Sequence, residues 1–185
     1  MKEIAEHVLD IVQNSLFSGA SGVEIDITED LQRDRIRVMI KDNGCGMDED
    51  LLAKVLDPFV TTRSKRTGLG LPLLAQTAEL ANGEVKISSQ VKQGTQVYLD
   101  IQRSHWDCPP LGNVVDTVVS CLSDHVELMF VHRLLGLEGG LVGEVVLDTK
   151  EIKEELDGVS VSHPEVLLFI RKMLIQEYQR LEGSK

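Results

Sequence analysis

The stretch Asp42-Asn43-Gly44-Cys45-Gly46-Met47 constrains this chain more than any other. It follows an alternating, β-branched run, Arg35-Ile36-Arg37-Val38-Met39-Ile40, so it stands at the exit of a predicted strand. A carboxylate, an amide and two closely spaced glycines then make a tight turn. Glycine permits positive φ and lets a ligand approach the main chain. A buried Asp at such a turn must find donors, and an exocyclic amine such as that of adenine supplies one. Asp-Asn-Gly is equally an ordinary hairpin turn, and the stretch alone does not decide between the two.

The chain of 185 residues suffices for one domain with a core, or for a domain with a small appendage. Its net charge of -11 argues against a nucleic-acid surface, which needs clustered cations. No apolar run approaches the length of a membrane span, and the N-terminus lacks a signal-peptide pattern, so no membrane association is expected. Cys45, Cys108 and Cys121 lie far apart and read as reduced thiols, which points to a cytoplasmic protein without a cysteine metal site.

Taken in order, the spacing of Ile4, Val8, Ile11, Val12 and Leu16 predicts a helix from about Ile4 to Phe17. Beside that stripe lie His7, Asp10 and Asn14. Asp10 and Asn14 are four apart and share a face. Such a carboxylate and amide suit a hydrated Mg²⁺, or simply a solvated helix face. Ser18-Gly19-Ala20-Ser21-Gly22 ends the helix. Val23-Glu24-Ile25-Asp26-Ile27 reads as a strand, Thr28 to Asp34 as a turn, and Met47 to Leu56 as a short helix with acidic residues in its first turn. The segment from Asp57 to Gly70 has no useful periodicity and gathers Arg63, Lys65 and Arg66. Gly68 and Gly70 lead straight into an apolar helix, Leu71 to Ala81. A glycine-led helix N-terminus is a natural anion site, though a plain glycine hinge reads the same way. Strands over Glu84 to Val91 and Gln96 to Gln102 follow.

Three separated pieces therefore stand in fixed order: Asp10-Ile11-Val12-Gln13-Asn14-Ser15, then Asp42-Asn43-Gly44-Cys45-Gly46-Met47, then Thr67-Gly68-Leu69-Gly70-Leu71 with the later Gly94-Thr95. Together they resemble the GHKL ATPases: DNA gyrase, MutL repair proteins, ninety-kilodalton chaperones, histidine kinases and anti-sigma serine kinases. The resemblance covers roughly residues 3 to 102. Gln13-Asn14-Ser15-Leu16 with Gly19-Ala20-Ser21 looks most like MutL, and the short loop with Thr61-Thr62-Arg63 and Thr67-Gly68-Leu69-Gly70-Leu71 looks most like histidine kinases. The implied fold is α+β, a two-layer sandwich of the GHKL (Bergerat) type with helices on one face of a mixed, mostly antiparallel sheet. The implied cofactors are ATP and Mg²⁺. Asn14 would ligate the metal. Asp42 would accept from the adenine amine, sharing a water with Thr95. Gly44, Gly46 and Met47 would shape the adenine pocket. Gly68, Leu69 and Gly70 would offer N–H groups to the phosphates. The loop from about Asp57 to Thr67 would be a mobile lid, bringing Arg63 or Lys65 near the γ-phosphate.

Two departures from the family pattern bear on activity. Where the hydrolytic and serine-kinase branches carry a general-base Glu, this chain has Asp10, one methylene shorter. General-base catalysis needs hydrogen-bond reach, directly or through one water. The chain also opens at the ATP-site helix, with no phospho-accepting helix pair before it. Self-phosphorylation as a complete unit is therefore not expected.

Residues 105–185 fall outside the resemblance. Asp107-Cys108-Pro109-Pro110 reads as a boundary between a 1–104 domain and a small α+β appendage. The appendage reads as a helix over Val114 to Leu122, a hairpin of Val126 to Arg133 with Gly143 to Leu147, a short helix begun by Asp148 and Glu151, and a final helix from His163 to Leu181. That last helix is apolar around much of its girth. It either packs within its own subdomain or meets a second subunit in a homodimer. The leading functional reading is an ATP-binding regulatory module that signals to a protein partner, with slow hydrolysis within its range. An anti-sigma-like serine/threonine kinase and a non-catalytic nucleotide sensor are the alternatives.

Overall fold

The computed structural model describes residues 3–57 and 70–183. The chain begins with α1 (Ile4–Phe17), whose inward face is Ile4, Val8, Ile11 and Val12. β1 (Gly22–Asp30) and β2 (Arg35–Asp42) pair antiparallel, with only a four-residue turn between them. β1 is therefore longer than the alternation of residues 23–27 indicates, because its polar continuation Thr28-Glu29-Asp30 still pairs with Arg35 to Arg37. The helix expected over 47–56 is a single turn, α2 (Glu49–Leu52), capped by the Asp48 carboxylate, which accepts from the Leu51 N–H at 2.8 Å. α3 (Gly70–Leu80) leads to β3 (Glu84–Gln90) and β4 (Gly94–Gln102), an antiparallel pair.

The remaining segment builds onto the same sheet. After α4 (Val114–Ser120), β5 (Glu127–Leu135) runs parallel to β1 along its whole length. β6 (Leu141–Asp148) then pairs antiparallel with β5, and α5 (Thr149–Glu155) and α6 (Pro164–Gly183) close the chain. The six strands stand in the order β3-β4-β2-β1-β5-β6, mixed and mostly antiparallel. Alternate residues face the helices: Val23, Ile25 and Ile27 on β1, Ile36, Val38 and Ile40 on β2, Leu128, Phe130 and Leu134 on β5. They join residues of α1, α3, α4 and α6 in one hydrophobic cluster that spans both halves of the chain. The core expected for a separate appendage is part of this common one.

The ends of this sheet differ. At one end, Asp34 clasps β2 to the exit of β4 by accepting from the Ser104 N–H at 3.0 Å, the Ser104 hydroxyl at 2.5 Å and the Gln102 amide at 3.0 Å. These bonds hold its carboxyl below the usual carboxylate range. At the other end, the exits of α1 and β2 and the entrance of β4 converge on Asp42. α6 is less enclosed than its composition predicts. Ile170, Leu174 and Leu181 are buried, while Phe169 is 68% exposed, because the helix lies on α4 and β6 with its other side outward.

Candidate nucleotide site

Asp42, a residue 8% exposed, closes β2, and its carboxylate meets three donors. Oδ2 accepts from the Ser15 hydroxyl at 2.7 Å. Oδ1 accepts from the Gly44 N–H at 2.8 Å and the Thr95 N–H at 3.2 Å. A carboxylate has about four lone-pair positions, so three donors leave room for one more. The backbone around it admits no side chains. Gly94 has φ +96°, and a Cβ there would strike the Asp42 carbonyl. Gly46 has φ +66°, and a Cβ would strike the Gln90 carbonyl. At Gly44 the obstruction is the Ser18 hydroxyl. These glycines let the turn after β2 lie flat against the entrance of β4.

Hydroxyls tie the turn after β2 to the β3–β4 hairpin. Ser89 donates to the Gly94 carbonyl at 2.9 Å, lies 2.9 Å from the Thr95 hydroxyl, and accepts from the Met47 N–H at 2.9 Å. Cys45 is tied on both sides, its N–H to the Ser18 carbonyl and its carbonyl to the Lys92 N–H. Asn43 accepts from the N–H groups of Ser21 and Gly22, fixing the turn to the start of β1. Asp42, Gly44, Gly46, Met47 and Thr95 are thus gathered at one end of the sheet.

Asp10 and Asn14 stand one turn apart on α1, and Asn14 is the neighbour in sequence of Ser15, which meets Asp42. The Asp10 carboxylate lies against Gly70, the first residue of α3, in the space that a Cβ of Gly70 would fill. His7, one turn earlier, is 2% exposed and holds the two helices together, its Nε2 3.2 Å from the Thr77 hydroxyl of α3. That hydroxyl donates to the Leu73 carbonyl at 2.9 Å, so its single proton is spent and His7 Nε2 is the donor. Nδ1 is then the bare nitrogen, without a partner among the described residues and against an apolar wall. Burial lowers the His7 pKa and keeps the ring neutral. Arg63, Lys65, Gly68 and Leu69, with the expected lid from Asp57 to Thr67, lie outside the described residues apart from Asp57.

Among the described residues, no three His, Cys, Asp or Glu side chains gather into a metal cage. Asn14 and Asp10 offer one amide and one carboxylate oxygen. That sparse hard-oxygen set fits Mg²⁺, which keeps waters and takes phosphate oxygens for its other ligands. It does not fit Zn²⁺, which needs nitrogen or sulfur donors.

Sequence reasoning left Ser15, Ser18 and Ser89 without a role. Ser15 had a readable signal. It is a lone hydroxyl four residues after Ile11 on an otherwise apolar stripe, and it is buried. Such a position asks for a buried acceptor, which is Asp42.

A family model described as "Histidine kinase-, DNA gyrase B-, and HSP90-like ATPase" matches residues 2–105. Sporulation kinase D of Bacillus subtilis (strain 168) is 30% identical over 98 residues, 53% of this chain and 19% of its own length. The alginate biosynthesis sensor protein KinB of Pseudomonas aeruginosa is 31% identical over 97 residues, 51% of this chain and 16% of its own. The chain thus spans less than a fifth of either relative. Among solved structures, the catalytic domain of the histidine kinase ThkA is 26% identical over 53% of this chain and 64% of its own, with a TM-score of 0.41. Full-length ShkA in complex with AMPPNP is 24% identical over 52% of this chain and 20% of its own, with a TM-score of 0.45. By its motifs, its sheet and this match over more than half its length, the chain belongs to the histidine kinase-, DNA gyrase B- and HSP90-like ATPase family.

Proposed function

We propose that this protein binds Mg²⁺-ATP in the cleft between α1, the turn after β2 and the start of α3, and signals the bound state to a protein partner. The observation that carries the reading is Asp42, a buried carboxylate held by Ser15, Gly44 and Thr95 with one acceptor position left for an adenine amine. Three rigid elements fix that acceptor, so recognition costs little reordering. Asn14 holds Mg²⁺, which neutralises the phosphates, and Gly70 brings the positive end of α3 toward them. Arg63 and Lys65, with the N–H groups of Gly68 and Leu69, close over the phosphates as a lid. The relatives' names, sporulation kinases and sensor proteins, support a place in signal transduction.

Turnover, where it occurs, is slow. Asp10 is the one carboxylate at the proper place on α1 for a general base, and it is turned onto α3. It reaches an attacking water only after leaving Gly70. The test is calorimetry with Mg²⁺-ATP, followed by phosphate release. Asn14→Ala abolishes the Mg²⁺-dependent part of binding; a mutant that binds Mg²⁺-ATP as well as wild type refutes the metal assignment. Asp10→Glu raises phosphate release and Asp10→Asn removes it; a rate indifferent to both takes Asp10 out of the chemistry.

A further inference from the structure

An edge strand leaves the N–H and C=O groups of alternate residues without a ladder partner, and monomeric proteins protect such edges with charge, proline or cover. The sheet of the described residues ends at β3 on one side and at β6 on the other. β3 is protected. Its residues are mostly polar, Lys86 stands on it beside Glu84, and the Met47 N–H reaches across to the Ser89 hydroxyl, so the turn before α2 lies against it. β6 is not. It contains no Pro, Lys or Arg, and its Leu141, Val142 and Val146 are 56, 39 and 46% exposed. Both of its carboxylates are engaged within the chain, Glu144 with Arg133 of β5 at 3.4 Å and Asp148 with the Lys150 N–H at 2.8 Å. Among the described residues, β5 alone bonds to its main chain.

The helix layer continues this flank. The helices follow one another across the sheet as α3, α1, α4 and α6. α6 is therefore outermost and lies over β6, with Leu181 occupying the space above Gly143. Arg171 ties one side of α6 to Asp116 of α4 at 2.7 Å. On a 3.6-residue period Val166, Phe169 and Met173 fall about 140–160° from Arg171, on the side above the free edge. We propose that the β6 edge and this side of α6 form the surface by which two copies of the chain pair, β6 running antiparallel to its counterpart across a two-fold axis. Such an axis sets an edge strand antiparallel to itself, the arrangement in which outward N–H and C=O groups meet. With Val145 on the axis, Glu144 stands opposite the partner's Val146, and no carboxylate directly faces its own counterpart. A second copy covers both layers, strand on strand and α6 on α6, whereas a lone extended peptide covers only the strand and leaves Phe169 bare. The edge is about 27 Å long and the two layers about 20 Å deep, so each copy offers roughly 500 Å², which brings the total near the ~1,000 Å² of a specific interface.

The experiment is sedimentation of the full chain over a concentration series, with hydrogen exchange of the β6 amides at both ends of the series. Wild type passes from the mass of one chain to that of two, half-associated near about 10 µM, and the β6 amides gain protection as it does so. Val146→Glu places a carboxylate opposite the partner's Glu144, and Phe169→Asp puts one between the helices. Both positions are exposed in the single chain, so folding survives, and each substitution acts twice across the axis, raising the dissociation constant at least about tenfold. Ser88→Glu, on the opposite edge, leaves association unchanged. A wild type that keeps the mass of one chain up to about 200 µM overturns the inference. So does a dimer indifferent to both Val146→Glu and Phe169→Asp, a dimer lost with Ser88→Glu alone, or a dimer whose β6 amides exchange as fast as those of the single chain.

Discussion

At the scale of single residues, the site is a problem in burying one charge. A carboxylate taken out of water must recover its hydrogen bonds locally, and Asp42 recovers three. Two donors are backbone N–H groups that side-chain truncation leaves in place, but the third is the Ser15 hydroxyl. Ser15→Ala leaves Oδ2 short of a partner and costs about 1–3 kcal/mol of stability, measurable as a lower urea midpoint with an unchanged m-value. A variant as stable as wild type means that water replaces the hydroxyl. The glycines act through sterics. Gly94→Ala combines a left-handed φ with a collision against the Asp42 carbonyl, so it costs roughly 2 kcal/mol or more and disturbs the pocket directly. That a tight turn with a buried carboxylate follows β2 was legible from Asp42 and its two glycines, whereas the stretch alone read equally as an ordinary hairpin turn. Ser18 and Ser89 were not legible, because a hydroxyl's partner depends on which distant main chain it meets.

At the scale of elements, α1 links the parts of the site, presenting Ser15 to β2 and His7 and Asp10 to α3. Its limits were readable from one period of 3.6, and they agree with the observed Ile4–Phe17. His7 adds a pH dependence. Burial depresses its pKa, so the unfolded chain takes up the proton first as pH falls. Stability from the neutral ring is complete above the unfolded value of about 6.5 and is lost progressively below it. His7→Leu should flatten the stability profile just below pH 6.5, seen by comparing urea midpoints at pH 7.5 and pH 5.5; an unaltered slope assigns the dependence elsewhere. The lower carboxylate limb has another source. Asp34, depressed by its bonds from Ser104 and Gln102, contributes above about pH 4 and is lost under stronger acid.

At the scale of the whole molecule, the joint between the two halves was the least legible feature. Antiparallel partners such as β1 and β2 follow each other in sequence, and short turns reveal them. β5 lies parallel to β1, and a parallel pair needs a long crossover that leaves no local mark. The strand expected over Val126 to Arg133 therefore reads as part of an appendage, whereas its Phe130, 0% exposed, belongs to the cluster shared with β1 and α1. The consequence is cooperative. A fragment ending at residue 104 exposes the β1 edge and the underside of α1, and it should lose cooperative unfolding that the full chain shows in a single transition. Two separate transitions in the full chain would contradict this. The central claim is that Asp42 reads adenine in a cleft built for Mg²⁺-ATP. Its most direct measurement is calorimetric titration of Mg²⁺-ATP into wild type and Asp42→Asn, with folding of both checked by circular dichroism. The account predicts saturable one-site binding to wild type and none to the folded variant; equal binding to both, or heat from neither, contradicts it.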